Sequence, residues 1–173
     1  DGEMAIVTKD SVWVTNRQGV PITKKVFEVN WDAEAAEKGG YEHFMSKEIY
    51  EQPKAVRETM TSRLAKDNSH VIFEELKWTP GEIAAINKVM IVACGTAYHA
   101  GIVGKYYIES LARIPVEVDV ASEFRYRSPL VDENTLAIVI SQSGETLDTL
   151  AALKEAKRLG ARTLAVTNVV GSS

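Results

Sequence analysis

Residues 135–150 read TLAIVISQSGETLDTL. The first six, TLAIVI (135–140), run without the polar alternation of a half-exposed strand, so both faces of that strand are expected to be buried. The run ends at Ser141-Gln142-Ser143-Gly144-Glu145-Thr146, and SGETLDTLAALKEAKRLG (143–160) then takes up helical spacing. Leu147, Leu150, Leu153, Ala156 and Leu159 predict one apolar stripe. Lys157 and Arg158 suit the negative end of the helix dipole, and Gly160 suits the position just past the C-cap. A buried strand that turns sharply into an amphipathic helix is half of a βαβ unit.

The same pattern extends in both directions. KVMIVA (88–93) is a second unbroken apolar run, and CGTAYHAGIVGKYYIESLA (94–112) is its helix. Ala100, Gly101 and Gly104 are small enough to let that helix lie close against a sheet. VEVDVA (116–121) and ARTLAVTN (161–168) supply two further strands, and GEIAAIN (81–87) predicts a short helix leading into the first. Strands alternating with helices predict an α/β fold with right-handed crossovers and a doubly wound parallel sheet.

Upstream the character changes. MAIVT (4–8), SVWVT (11–15) and KVFEV (25–29) predict three short strands, with turns at Lys9-Asp10 and Asn16-Arg17-Gln18-Gly19. Three such strands bury too little apolar area to stand alone, so they read as the tail of another domain. WDAEAAEKGG (31–40) is acidic, Ala-rich and closed by a glycine pair, and marks a boundary. YEHFMSKEIYEQP (41–53) is loosely helical, and Pro53 suits the first turn of a separate helix, PKAVRETMTSRLA (53–65). The expected division is thus a β-rich tail at 1–30, a linker and entry helix at 31–52, and an α/β domain at 53–173.

Bulk properties exclude several function classes. A formal net charge of −4 gives no electrostatic reason to expect nucleic acid as a partner. No apolar run approaches the roughly 20 residues that span a bilayer, and DGEMAIVTKD lacks the layout of a secretory signal. Cys94 is the single cysteine, so no internal disulfide forms, which fits a reducing, cytoplasmic compartment. His43, His70 and His99 lack metal-ligand spacing, and neither a metal nor another cofactor is expected.

The chemistry gathers at two strand-to-helix junctions, Cys94-Gly95-Thr96-Ala97 and Ser141 to Thr146. Ligands of such sheets bind beyond the carboxyl ends of the strands. A helix start presents free backbone N–H groups and a positive dipole end, which suits an anion such as phosphate. Hydroxyls at 141, 143 and 146 can each donate, and Gly144 allows close backbone approach. Neither loop contains Lys or Arg, which favours a phosphorylated metabolite over a polyphosphate with its metal ion. Neither matches the P-loop or the G-x-G-x-x-G pattern. On local evidence the alternative stays open that these hydroxyls are ordinary helix caps. Glu145 is expected to point away from a bound anion. Cys94 reads as a buried strand-end residue, Glu48 and Glu51 as a solvated helix face, and Arg125 and Arg127 as surface residues with a lesser chance of meeting an anion or a partner subunit.

Taken together, ACGTAYHAG, VASEFRYR, LAIVISQSGETLDTL and TNVVGSS, in this order and spacing, resemble the first sugar-isomerase (SIS) half of the glutamine–fructose-6-phosphate aminotransferase family. KGGYEHFMSKEIYEQP resembles that family's entry into its isomerase domain, and the strands at 1–30 resemble the end of its glutaminase domain. SQSGET alone would indicate only an SIS domain. The resemblance implies that Ser141, Gln142, Ser143 and Thr146 hold the phosphate of fructose 6-phosphate or glucose 6-phosphate. Thr96 and Ala97 would add contacts, with Ala97 standing where many members have Ser. It also implies that the glutaminase cysteine, the isomerase's catalytic glutamate, ring-opening histidine and Schiff-base lysine, and the second SIS half all lie outside this chain. On that reading the chain binds substrate and does not catalyse, and the full-length protein is a homodimer. Two alternatives are a non-catalytic SIS module that senses a sugar phosphate for a regulator, and an SIS deaminase or deglycase. The β-rich segment at 1–30 argues against both.

Overall fold

The computed structural model describes residues 2–25 and 38–172, which fall into two compact units, one up to Phe73 and one from Glu74 onward. In the first unit, β1 (Glu3–Val7) and β2 (Val12–Asn16) form an antiparallel hairpin with Glu3 opposite Asn16 and Val7 opposite Val12. The expected turn at 16–19 is present. Gly19 has φ +78°, and the Asn16 side-chain oxygen accepts from the Gln18 and Val20 amides, both at 2.9 Å. Met4, Ile6, Val12 and Trp13 of the hairpin stay exposed. All of the third expected strand except Lys25, and residues 31–37 of the acidic stretch, lie outside the described residues.

The helical part of this unit corrects the sequence reading. One helix, α1, runs unbroken from Phe44 to Thr61, with Pro53 in its interior rather than in the first turn of a second helix. Pro53 deprives the Ile49 carbonyl of its helical donor. Ile49 is 55% exposed, so water can take the vacated acceptor. The ion pairs Lys47–Glu51 at 3.8 Å and Lys54–Glu58 at 3.9 Å flank the proline and favour the helix on both sides.

The second unit opens with α2 (Pro80–Ala84), shorter than the 81–87 expected. Thr79 caps it reciprocally: its hydroxyl accepts from the Glu82 amide at 3.3 Å, and the Glu82 carboxylate accepts from the Thr79 amide at 2.8 Å. Four parallel strands follow, β3 (Lys88–Ala93), β4 (Val116–Val120), β5 (Thr135–Ser141) and β6 (Arg162–Thr167), arranged β4-β3-β5-β6. Helix α3 (Gly95–Leu111) follows β3, a single turn α4 (Ala121–Phe124) follows β4, and α5 (Leu147–Arg158) follows β5.

Side chains pack on both faces of the sheet, but only β3 is buried on both. β5 alternates buried and half-buried residues, so the expected two-faced burial of 135–140 is only partial, and Ala165 to Thr167 of β6 are exposed. On one face, Val89, Ile91 and Val116 pack with Ile86, Trp78 and Ile108, the last from α3. On the other, Met90, Val92, Ala137 and Val139 pack with Phe124 of α4 and with Ala152 and Ala156 of α5. Two helices on opposite faces of a parallel sheet make it doubly wound, as expected. Gly101 is buried against β3 and β4: a Cβ there would lie 2.9 Å from Ile91 Cγ2 and 3.3 Å from Val118 Cγ1. Gly104 also faces Ile91, whereas Ala100 is exposed.

The apolar stripe of α5 is rotated from the one expected. Thr149, Ala152 and Ala156 are its buried residues, with Leu153 partly buried beside them, while Leu147 is 81% exposed. Positions 149, 152, 153 and 156 keep helical spacing. Small residues, not the leucines, take the inward face because this helix lies close on the sheet. Its end is as expected: Gly160 has φ +96°, and the Gly160 and Ala161 amides donate to the Lys157 and Ala156 carbonyls at 3.1 and 3.0 Å, a Schellman motif.

Candidate functional site

Strand order places the two hydroxyl-bearing junctions side by side. β3 and β5 are neighbours, with Ala93 paired to Ile140, so Cys94 and Ser141 leave the sheet next to each other. From there the chain goes opposite ways, from β3 through α3 to β4 on one side and from β5 through α5 to β6 on the other. This is where the strand order reverses, the point at which doubly wound sheets bind ligands. A contact joins the two sides: the Thr149 hydroxyl of α5 points at Cys94 Sγ, 4.0 Å away.

The local hydrogen bonds bear on whether these hydroxyls are merely caps. Thr146 is the N-cap of α5 and Cys94 the N-cap of α3, and neither side chain accepts a bond from its helix. The serines close the turn instead. Ser141 Oγ accepts from the Gly144 amide at 3.0 Å and meets Thr146 Oγ1 at 3.2 Å. Ser143 Oγ accepts from the Glu145 amide at 3.1 Å. In that bond the Ser143 hydroxyl is an acceptor, so its own proton can be donated outward. Gly144 has φ +72° and Gly95 φ +57°, conformations that bring the backbone round into each helix and that side-chain-bearing residues adopt only at a cost.

The residues singled out from sequence are brought together to different degrees. Ser141 is buried, Ser143, Thr146 and Ala97 are half-buried, and Thr96 and Gln142 are exposed. Gln142 is held through its backbone, where its carbonyl accepts from the Asn168 amide at 3.2 Å. Neither Cys94–Ala97 nor Ser141–Thr146 contains an imidazole, amine or guanidinium, so the charge complement to an anion would come from directed N–H and O–H dipoles.

Arg125 and Arg127 are engaged elsewhere. Arg127 pairs with Asp119, and with Glu117 at 2.7 Å; the hydrogen bond to Asp119 chiefly raises its pKa further above the usual arginine range. Arg125 lies over the Tyr126 ring, 4.6 Å from its centroid. Glu51 faces Lys47 on the exposed helix α1. Among the described residues, no cluster of His, Cys, Asp or Glu could hold a metal ion, and no helix is long and apolar enough to cross a membrane. An open recess bounded by Gly2, Glu3, Asn16 and Arg17 lies on the hairpin, where no helix N-terminus contributes.

Sequence reasoning missed three contacts at the site: Thr149 with Cys94, Asn168 with Gln142, and Ser172 with Gly144. It also missed Phe124, which is fully buried behind the sheet. The aromatic residue in SEFRYR was a signal for the last; the others depend on the order of the strands.

Residues 82–173 match the SIS domain family. The chain belongs to the SIS family. Its SIS part begins just before β3 and includes both junctions. Over all 173 residues the chain is 63% identical to the isomerizing glutamine–fructose-6-phosphate aminotransferase of Caldanaerobacter subterraneus subsp. tengcongensis and 49% identical to that of Methanosarcina mazei. It spans 28% of the length of each. Among solved structures, the C-terminal domain of glucosamine-fructose-6-phosphate aminotransferase from Francisella tularensis superposes with a TM-score of 0.69 at 42% identity, covering 79% of this chain and 37% of that one.

Proposed function

We propose that this chain is the hexose-phosphate-binding part of an aminotransferase that makes glucosamine 6-phosphate and glutamate from fructose 6-phosphate and glutamine. One observation carries the binding half of this reading: two helix starts, uncapped by side chains and lined with hydroxyls, meet at the point where the strand order reverses. A sugar phosphate fits because the phosphate can accept from first-turn amides and from Ser143 and Thr146. Ser141, Gln142, Ser143 and Thr146 form one wall; Thr96 and the backbone at Ala97 form the other. The identities to named aminotransferases along the whole chain support the parent activity.

On this reading residues 1–30 are the end of a glutaminase domain, 31–52 belong to a linker and entry helix that continues unbroken through Pro53 as α1, and the first SIS domain, expected over 53–173, has its family match over 82–173. The exposed apolar side chains of the hairpin suit strands that belong to a larger sheet. The chain holds substrate and does not transform it, since its two loops offer neither an amine for a Schiff base nor an imidazole for ring opening. The full-length protein is a cytoplasmic homodimer that meets glutamine through its glutaminase domain. The sensing-module alternative shares the binding site, and the relatives matched along the N-terminal unit weigh against it.

Calorimetric titration of the chain with fructose 6-phosphate, glucose 6-phosphate and unphosphorylated fructose tests the proposal. The two phosphates are expected to bind and fructose is not. Ser143→Ala should weaken phosphate-ester binding roughly 10- to 100-fold, the worth of a hydrogen bond to a charged group. Equal binding by Ser143→Ala and the unsubstituted chain refutes the loop assignment, and glucosamine 6-phosphate formed by the chain refutes its non-catalytic role.

A further inference from the structure

The segment after β6 returns to the Ser141–Thr146 turn and touches it at two points. At the first, the Asn168 amide donates to the Gln142 carbonyl at 3.2 Å. At the second, Gly171 has φ +76°, and Ser172 follows it onto the turn. A Cβ built on Gly144 would lie 2.1 Å from Ser172 Oγ and 2.4 Å from Ser172 Cβ, well inside contact distance. The Ser172 hydroxymethyl group therefore occupies the volume that any side chain at position 144 would need. Gln142 and Gly144 flank Ser143, so the two contacts bracket the residue whose hydroxyl is offered outward.

We propose that Ser172 is a positioning residue of the Ser141–Thr146 turn: seated on the bare Cα of Gly144, it holds the turn in the conformation that directs Ser143 and the first-turn amides of α5 at an anion. This rests on reading the turn as a sugar-phosphate site. Gly144 is then needed for two reasons. Its positive φ favours glycine, and its missing side chain makes room for Ser172. Ser172 contacts the turn, and the turn contacts the ligand. Packing of this kind limits the alternative backbone states of a glycine-containing loop, and that ordering cost would otherwise fall on ligand binding.

The test uses the 173-residue chain with Ser172→Ala, Ser172→Gly, Gly144→Ala and the Gly144→Ala/Ser172→Gly pair. Fructose 6-phosphate affinity is read by calorimetry, the Gly144 and Glu145 amide signals by NMR, and stability by denaturant midpoint. Ser172→Gly is expected to weaken binding roughly three- to tenfold, within the range of coupling between contacting residues, and to shift both amide signals. Ser172→Ala, which keeps the Cβ on Gly144, should bind within about twofold of the unsubstituted chain if packing decides. Gly144→Ala should lose binding, and Ser172→Gly in that background should restore part of it by clearing the clash.

Unchanged affinity and unmoved amide signals in Ser172→Gly overturn the proposal. So does strict additivity of the 144 and 172 substitutions in midpoint. If Gly144→Ala does not fold, the Ser172→Gly affinity and amide shifts decide alone. If the unsubstituted chain binds no sugar phosphate, the functional reading of the site fails, and the amide shifts and midpoint coupling still decide whether Ser172 positions the turn.

Discussion

Gly101 and Gly104 lie one turn apart on α3, and replacing each with alanine should move stability in opposite directions. In a helix interior, glycine is about 1 kcal/mol less favourable than alanine, so both substitutions begin with that gain. At Gly104 the added methyl would sit 3.6 Å from Ile91 Cδ1, an ordinary contact with the end of a side chain. Gly104→Ala should therefore stabilise by about 1 kcal/mol, which for a unit of this size raises the melting temperature by roughly 4–8 °C. At Gly101 the methyl would meet Ile91 Cγ2 at 2.9 Å and Val118 Cγ1 at 3.3 Å. Ile91 is 2% exposed and branched at Cβ, so its Cγ2 cannot retreat without turning the whole side chain in a closed core. Overpacking of that kind costs about 1–3 kcal/mol, which offsets or exceeds the propensity gain. Gly101→Ala should thus fall between neutral and about 2 kcal/mol destabilised, below Gly104→Ala in every case. Denaturant unfolding followed by far-ultraviolet circular dichroism reads both midpoints. A Gly101→Ala midpoint equal to or above that of Gly104→Ala would refute the close approach of α3 to β3 and β4.

Two further substitutions probe the rest of the chain. Pro53→Ala should increase helical ellipticity and stabilise α1 by about 1–3 kcal/mol, because it restores the amide that the Ile49 carbonyl lacks; unchanged or reduced ellipticity would instead place Pro53 at a helix start. Glu117 is held below the usual carboxylate range, first by its hydrogen bond from Lys88, then by the charges of Lys88 and Arg127. A depressed folded pKa means that this stability is present above the unfolded value, near roughly 4.3, and is lost as pH falls through the lower folded value. The unsubstituted chain should accordingly lose more melting temperature than Glu117→Gln on acidification from about pH 6 to about pH 3. Parallel losses would show the pair contributes nothing, as many half-exposed ion pairs do.

The α/β unit was legible in the sequence because its signals are local and redundant. KVMIVA is apolar and buried from Val89 to Ala93, TLAIVI is apolar from Leu136 to Ile140 with every second residue buried, and Gly160 ends α5 with the bonds its position predicts. Legibility failed where a local preference met a tertiary or solvent effect. Pro53 is a strong breaker by propensity, yet it sits inside a helix without buried residues, four positions after the exposed Ile49. Leu147 is a good core residue by composition, yet close packing of α5 on the sheet gives the inner face to Thr149, Ala152 and Ala156.

The candidate site shows the same division at a finer scale. Ser141, Ser143 and Thr146 can be chosen from sequence because hydroxyls around a glycine at a strand end are unusual. What they bond to cannot be chosen that way, since capping a helix and closing a turn use the same residue types at nearly the same spacing. The two are distinguished by where Ser141 and Ser143 spend their lone pairs: on the amides of Gly144 and Glu145, leaving the α5 N-cap without a side-chain acceptor. A serine that caps a helix competes with an anion for the same donors. A serine that folds the turn beneath those donors leaves them available, and the strand order then sets a second uncapped helix start, that of α3, beside the first. It is this arrangement, more than the number of hydroxyls, that favours an anion at the strand ends.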